Sequence, residues 1–252
     1  MAGEPWEYLS LFAVGAVAGT LNVIAGGGSF LSLPLMIFLG LPPTVANGTN
    51  RVAILVQNVG AVWGFQRHRV VEWRWMAVAA PPAVLGAAGG AMASLYIGDE
   101  SFQRLLAACM VAFAIWALWN PLERHRAPHP EAPSRLRRVA VAAGFFLAGL
   151  YGGFVQAGVG FLILAVTSLA GLDLVRGNAL KVLLVLTYVP ITLLIFGLGG
   201  KVAWVAGLTL ACGHLLGGLL GVRLTVLKGQ LWVRRVFTLA IVAFALKLWL
   251  SP

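Results

Sequence analysis

From Tyr8 to Asn50 the chain carries no Asp, Glu, Lys or Arg, and charge-free runs recur at 52–66, 75–98, 105–122, 139–172, 182–200, 202–222 and 236–246. Several of these reach the roughly 20 residues that an α-helix needs to cross a bilayer core. In hydrocarbon, every backbone N–H and C=O must be satisfied within the protein, which leaves only helices or closed barrels. Continuous apolar runs of this length, without strict alternation, specify helices. With 60% hydrophobic and only 10% charged residues among 252, the composition lies outside the soluble range. The fold class that follows is an all-α integral membrane protein.

Helices are expected near 8–25, 29–40, 44–66, 75–97 and 102–120, then 139–157, 160–172, 175–198, 202–222 and 231–250. Between the two groups lies a Pro- and Arg-rich stretch that cannot continue a helix. The organisation expected is a first transmembrane repeat over 1–120, a hydrophilic linker over 121–138 and a second repeat over 139–252. The opening residues carry Glu4 and Glu7 and no basic n-region, so the first apolar run is expected to stay as a span. Cys109 and Cys212 lie in apolar segments and are expected as buried free thiols.

Inside the first charge-free run stand Ala25-Gly26-Gly27-Gly28-Ser29-Phe30 and, further on, Ala46-Asn47-Gly48-Thr49-Asn50-Arg51. Glycine frees the backbone from the helix and lets another group approach its N–H, so a glycine run between apolar segments reads as a break. Bare backbone groups at membrane depth are tolerated only where they are buried in protein or line a wet cavity, which makes this break the first candidate site. The signature returns between Gly149 and Lys181: Ser29-Phe30 answers to Gly160-Phe161, Gly40-Leu41 to Gly171-Leu172 and, after a two-residue deletion, Gly48-Thr49-Asn50 to Gly177-Asn178-Ala179, with Arg51 close to Lys181. In this second copy Gln156-Ala157-Gly158 replaces the triple glycine. The chain is an internal repeat.

Loop charges orient it. If 29–40 and 160–172 both cross, then Arg67, Arg69, Arg74, the linker arginines, Arg176, Arg223, Lys228, Arg234 and Arg235 share one side, while Asp99 and Glu100 fall on the other. If both segments were re-entrant, the 223–235 cluster would change sides. The first arrangement obeys the positive-inside bias and gives ten crossings, with both termini outside and the linker inside. Five segments per repeat make the halves inverted, and inverted halves with short or broken helices near the midplane mark a transporter site.

Charge then selects the cargo. All eight carboxylates, Glu4, Glu7, Glu72, Asp99, Glu100, Glu123, Glu131 and Asp173, lie at loops or span ends, whereas Arg51, Lys181, Lys201, His214 and Lys247 fall in or beside hydrophobic stretches. A cation pump or sodium site would normally need an acidic group in the span. Broken helices present unpaired N–H groups and the positive end of the helix dipole, which attract an anion. The candidate binding residues are Asn22, Gly26, Gly27, Gly28, Ser29, Asn47, Thr49, Asn50 and Arg51 in the first half, with Gln156, Gly158, Gly160, Asn178 and Lys181 in the second. Here Arg51 is expected to face an anion held by the glycine break, and Lys181 to do less. The basic excess of 18 over 8 sits in short loops without interleaved aromatics, so nucleic acid is not an expected partner.

Ala25-Gly26-Gly27-Gly28-Ser29-Phe30-Leu31-Ser32-Leu33-Pro34 followed by Ala46-Asn47-Gly48-Thr49-Asn50, with a weaker second copy after a hydrophilic linker, resembles the sulfite exporter TauE/SafE family of membrane permeases. The resemblance covers nearly the whole chain. It implies carriage of sulfite, sulfonates, sulfoacetate or another organic anion across the bacterial inner membrane, without a cofactor. The partners expected are a small anion, the lipid bilayer and, as a further candidate, a second copy in a homodimer.

The plainer readings are that the glycines merely permit close helix packing, and that Arg51 and Lys181 are interfacial snorkellers. His214 with Cys212 reads as a packed helix face rather than a metal pair, because no third ligand is near. Without a nucleophile and base or a metal cluster, an enzyme is not expected. A non-transporting scaffold is the remaining alternative.

Overall fold

The structure is a computed structural model, and it describes residues 3–119 and 135–228. The linker core and the expected helix at 231–250, with Arg234, Arg235 and Lys247, lie outside the described residues. Within them the chain forms nine α-helices and no strand: α1 (Pro5–Ala25), α2 (Ser29–Phe38), α3 (Pro43–Arg67), α4 (Trp73–Ser94), α5 (Asp99–Trp119), α6 (Arg135–Phe154), α7 (Val159–Leu169), α8 (Leu174–Leu198) and α9 (Trp204–Lys228). Proline opens α1 and α3, where its missing N–H costs nothing. The Asp173 side chain caps α8 by accepting from the amides of Val175 and Arg176.

Four helices, α1, α4, α8 and α9, are long and apolar enough on their own to cross a membrane. By contrast α2 and α7 have 10 and 11 residues. At 1.5 Å per residue they rise only about 15 and 17 Å, roughly half of a bilayer core. Two complete crossings at 29–40 and 160–172 are therefore replaced by two half-length helices.

Small residues bring the long helices into backbone contact, as is common where lipid leaves no hydrophobic force between them. A Cβ on Gly15 would sit 2.7 Å from the Leu210 carbonyl oxygen, and one on Gly217 would sit 2.0 Å from that of Ala16, so α1 lies along α9. In the same way Gly149 meets Ala83 and Gly90 meets Leu150, so α6 lies along α4. The pair α1 with α9 corresponds, under the sequence repeat, to the pair α6 with α4. Both pairs run parallel, since residues later in one helix meet residues later in the other. The middle is closed by α3 against α8, which are themselves repeat equivalents.

These directions place the loops at two ends. At one end Asp99 Oδ1 accepts from the Thr44 amide (2.8 Å) and hydroxyl (2.7 Å), and Lys201 donates to that hydroxyl at 3.1 Å. At the other, Arg176 pairs with Glu72 at 2.9 Å and Arg137 Nε donates to the Leu169 carbonyl at 2.8 Å. The charge partition read from the sequence thus becomes a physical one among the described residues: Arg67, Arg69, Arg74, Arg137, Arg138, Arg176 and Arg223 share one end with Glu72 and Asp173, while Asp99 and Glu100 stand at the other with Arg104 and Lys201. Trp6, Trp63, Trp73 and Trp204 are exposed near helix ends, as an interfacial belt requires.

The largest core cluster surrounds the short helices, where Phe113 of α5 lies 5.6 Å from both Phe30 of α2 and Phe161 of α7. One expectation is corrected here. Cys109 is partly buried, but Cys212 is exposed on the outer face of α9, because its helix turns His214 inward instead.

Candidate functional site

At the first break, α1 ends at Ala25 and Gly26 takes a left-handed φ of 88°, with its amide donating to the Asn22 carbonyl. That conformation is costly for any residue with a Cβ. The next three amides, of Gly27, Gly28 and Ser29, have no hydrogen-bond partner among the described residues. They precede α2, so they carry the positive end of its dipole.

At the second break, α6 ends at Phe154 and α7 begins at Val159, with Gln156 at φ 65° and Gly158 at φ 77° between them. Gln156 is a non-glycine residue in left-handed geometry, the kind of strain that concentrates at functional sites. The amides of Gln156, Gly158 and Gly160 are likewise without partners among the described residues. The two breaks meet: a Cβ on Gly26 would lie 2.5 Å from the Gly160 Cα, and one on Gly160 would lie 2.3 Å from the Gly26 Cα. Glycine at both positions is therefore required for contact, and the small-residue reading of these glycines is part of the answer, because packing and break coincide.

The two cations are buried, Arg51 completely and Lys181 to 3% exposure, so neither is an interfacial snorkeller. Their partners are crossed. Arg51, from the first half, donates to the Gly152 carbonyl (3.2 Å), the Gly153 carbonyl (2.5 Å), Gln156 Oε1 (3.3 Å) and Thr192 Oγ1 (3.0 Å), and its guanidinium lies 4.3 Å above the Phe196 ring. Lys181, from the second half, donates to the Asn22 and Val23 carbonyls, each at 2.9 Å, and to Asn178 Oδ1 at 2.7 Å. Each cation caps the C-terminal carbonyls of the other half's interrupted helix, where the dipole is negative. Arg51 belongs to the second break, not to the Gly26–Gly28 break that the sequence pairs with it. Three-dimensional crossing of the halves puts nearby sequence positions at different sites.

The neutral candidates divide similarly. Asn178 Nδ2 donates to the Ile24 carbonyl at 3.3 Å, and Asn22 Nδ2 donates to Gln57 Oε1 at 3.2 Å, so both flank the first break. Asn47 Nδ2 donates to the Phe154 carbonyl at 2.8 Å and joins the second. Asn50 ties α2 to α3, donating to Ser29 Oγ at 2.9 Å and accepting from Ser32 Oγ at 2.7 Å. Thr49 stands apart, because its hydroxyl accepts from the Ala203 amide at 2.9 Å just before α9. Residues absent from the sequence reading complete the picture: Gln57 receives Asn22 and faces His214 Nδ1 at 2.8 Å, and Tyr188 and Thr192 line the Arg51 side. Their signal was available as polar groups isolated in the apolar runs of α3 and α8.

No carboxylate hydrogen-bonds to either break, and no cluster of three or more metal-ligating side chains occurs among the described residues. The junction therefore offers amide donors, two guanidinium- or ammonium-bearing side chains and neutral amides, a set suited to negative charge.

Residues 11–248 match the family model described as sulfite exporter TauE/SafE. Over 244 residues the chain is 30% identical to the probable membrane transporter protein YfcA of Escherichia coli (strain K12), covering 94% of this chain and 88% of that one. It is also similar to a probable membrane transporter protein of Haemophilus influenzae, with 29% identity over 89% of this chain and 87% of the relative. A third, from Xylella fastidiosa (strain 9a5c), is 30% identical over 92% of this chain and 90% of its own. No solved structure matches the chain.

Proposed function

The chain belongs to the sulfite exporter TauE/SafE family of membrane transporters, and we propose that it is a secondary carrier of small anions, with sulfite and sulfonates first among them. The observation that carries this reading is the meeting of two interrupted helices, several of whose amides have no partner among the described residues, beside the buried cations Arg51 and Lys181. An anion entering there gains donors without meeting a carboxylate. A cation meets two positive groups.

In this reading the halves are inverted repeats. The correspondence of α1 on α9 with α6 on α4, and the self-corresponding pair α3 and α8, support that relation. The protein is multi-pass in the bacterial inner membrane, with the arginine-rich end in the cytoplasm by the positive-inside bias. Because α1 packs on α9 and α4 on α6 across the halves, alternating access is then a movement of the α1–α9 unit against the α4–α6 unit about the junction.

Purified protein reconstituted into liposomes tests the reading. Uptake of radiolabelled sulfite, competed by unlabelled sulfonates and carboxylates, is expected to exceed that of empty vesicles and to saturate. A preference for carboxylates would move the cargo to another organic anion. Absence of flux for every anion would leave a scaffold.

A further inference from the structure

The two breaks are not equivalent. At the first, every Nζ donor of Lys181 is engaged, by the Asn22 and Val23 carbonyls and by Asn178. At the second, both Nη atoms of Arg51 have partners but its Nε is buried without one among the described residues, and so is the hydroxyl of Tyr188. Gln57 Nε2 and His214 Nε2, on the side of the first break, are also without partners there, so what sets the second break apart is that its unpartnered donor is charged. Tyr188 is fully buried on α8. A Cβ on Gly152 would lie 2.8 Å from its hydroxyl, so the phenol stands at the last turn of α6, where Gly152 also receives Arg51. It stands close to the Gln156 side chain and to the guanidinium, but makes no contact with hydrogen-bond geometry among the described residues.

A buried polar atom without a partner normally costs about 1–3 kcal/mol, so two of them together need an explanation. Both are donors. Arg51 Nη1 reaches Gln156 Oε1 at 3.3 Å, and the amides of Gln156 and Gly158, in the same break just before α7, have no partner among the described residues. A charged donor, a phenol and a helix N-terminus all lack the same thing, which is an acceptor with negative charge.

We propose that the second break, not the triple-glycine break, holds the oxyanion, and that Tyr188 is a substrate-contacting residue whose hydroxyl donates to an anionic oxygen alongside Arg51 Nε. The inference rests on the anion-carrier reading above. It assigns the triple-glycine break the task of positioning α2, and it makes the repeat copy with the weaker sequence signature the chemically better-equipped one. The ligand class is a small oxyanion with at least two acceptor oxygens on one centre, as in sulfite, a sulfonate or a carboxylate.

The test is Tyr188→Phe in the full-length protein, with sodium sulfite and methanesulfonate as probes in thermal unfolding and in proteoliposome uptake. Removing an unpartnered hydroxyl relieves a buried polar group, so the anion-free protein is expected to melt at or above the wild-type temperature. The anion-induced rise should shrink, with affinity falling about ten- to hundredfold, the range for a hydrogen bond to a charged group. As a second variant, 3-fluorotyrosine at 188 keeps the ring and hydroxyl but strengthens the donor, and is expected to bind more tightly. If the anion-free Tyr188→Phe protein is destabilised and its affinity is unchanged, the hydroxyl is structural and the assignment fails while the carrier reading stands. If wild type itself neither binds nor carries any oxyanion, the carrier reading fails and this inference falls with it.

Discussion

Arg51 caps the helix that ends before Gln156, whereas Lys181, close to the matching position of the second repeat, caps the helix that ends before Gly26. Each half therefore holds the interrupted helix of the other, and the contact between Gly26 and Gly160 is fastened from both sides. Helix C-termini leave four carbonyls without intrahelical partners, and in a dry interior these must be met by something. The two buried cations meet several of them, so their charge is matched by dipoles and not by carboxylates.

Arg51→Gln should remove the charged donor from the Gly152 and Gly153 carbonyls together. At about 1.5–3 kcal/mol for a hydrogen bond to a charged group, the folded state is expected to lose several kcal/mol, and anion affinity should fall with it. Arg51→Lys restores charge but not the planar fork that reaches successive carbonyls, and should recover only part. Lys181→Gln should lower stability as well but weaken anion binding less than Arg51→Gln does. Unfolding in detergent and sulfite titration of each variant check the ranking.

Gly160→Ala places a methyl 2.3 Å from the Gly26 Cα, where only backbone can yield. Overpacking of this kind typically costs about 1–3 kcal/mol. Gly26→Ala adds strain from φ 88° to a 2.5 Å clash with Gly160, and should be the worse of the two. By comparison Gly98→Ala meets nothing within 4 Å and should be silent in the same unfolding measurement.

Asp99 accepts both the amide and the hydroxyl of Thr44 in the first turn of α3, acting as an N-cap supplied from another helix. Asp99→Ala should cost about 0.5–2 kcal/mol. Asp99→Asn should cost less, because it keeps an acceptor oxygen while losing the charge that complements the helix dipole. Thermal unfolding of the two variants separates them.

Orientation is testable by labelling once the exposed Cys212 and the partly buried Cys109 are replaced by serine. A cysteine at Gly98, at the Asp99 end, should react in intact cells with an impermeant thiol reagent. A cysteine at Arg74, at the arginine-rich end, should react only after permeabilisation. The reverse pattern would turn the molecule over.

Most of the helical layout was legible in the sequence, because charge-free runs and Pro or Gly punctuation are local signals: α3, expected at 44–66, spans Pro43–Arg67, and α8, expected at 175–198, spans Leu174–Leu198. The breaks were legible too, since Gly26 and Gly158 both take left-handed backbone geometry. Hidden from sequence was which cation serves which break. Arg51 stands close in sequence to the triple glycine, yet its side chain crosses to Gly153 at a separation of 102 residues. That crossing depends on α3 packing on α8, a tertiary fact with no local signature. Tyr188 was hidden for another reason: a lone tyrosine in an apolar helix looks like core until its hydroxyl is found without a partner.

Phe30 and Phe161 occupy matching places in the two repeats, and both rest on the single ring of Phe113, which belongs to α5. Phe30 and Phe113 lie in the same repeat, so a carrier that moves α7 against α5 has to part Phe161 from Phe113 in every cycle. Aromatic pairs are worth only about 0.5–1.5 kcal/mol beyond their buried area, so separating one ring pair changes a conformational population by roughly tenfold at most. A catch of that strength favours one resting arrangement without immobilising it, and it yields to a ligand that prefers the other arrangement by as little as one good hydrogen bond.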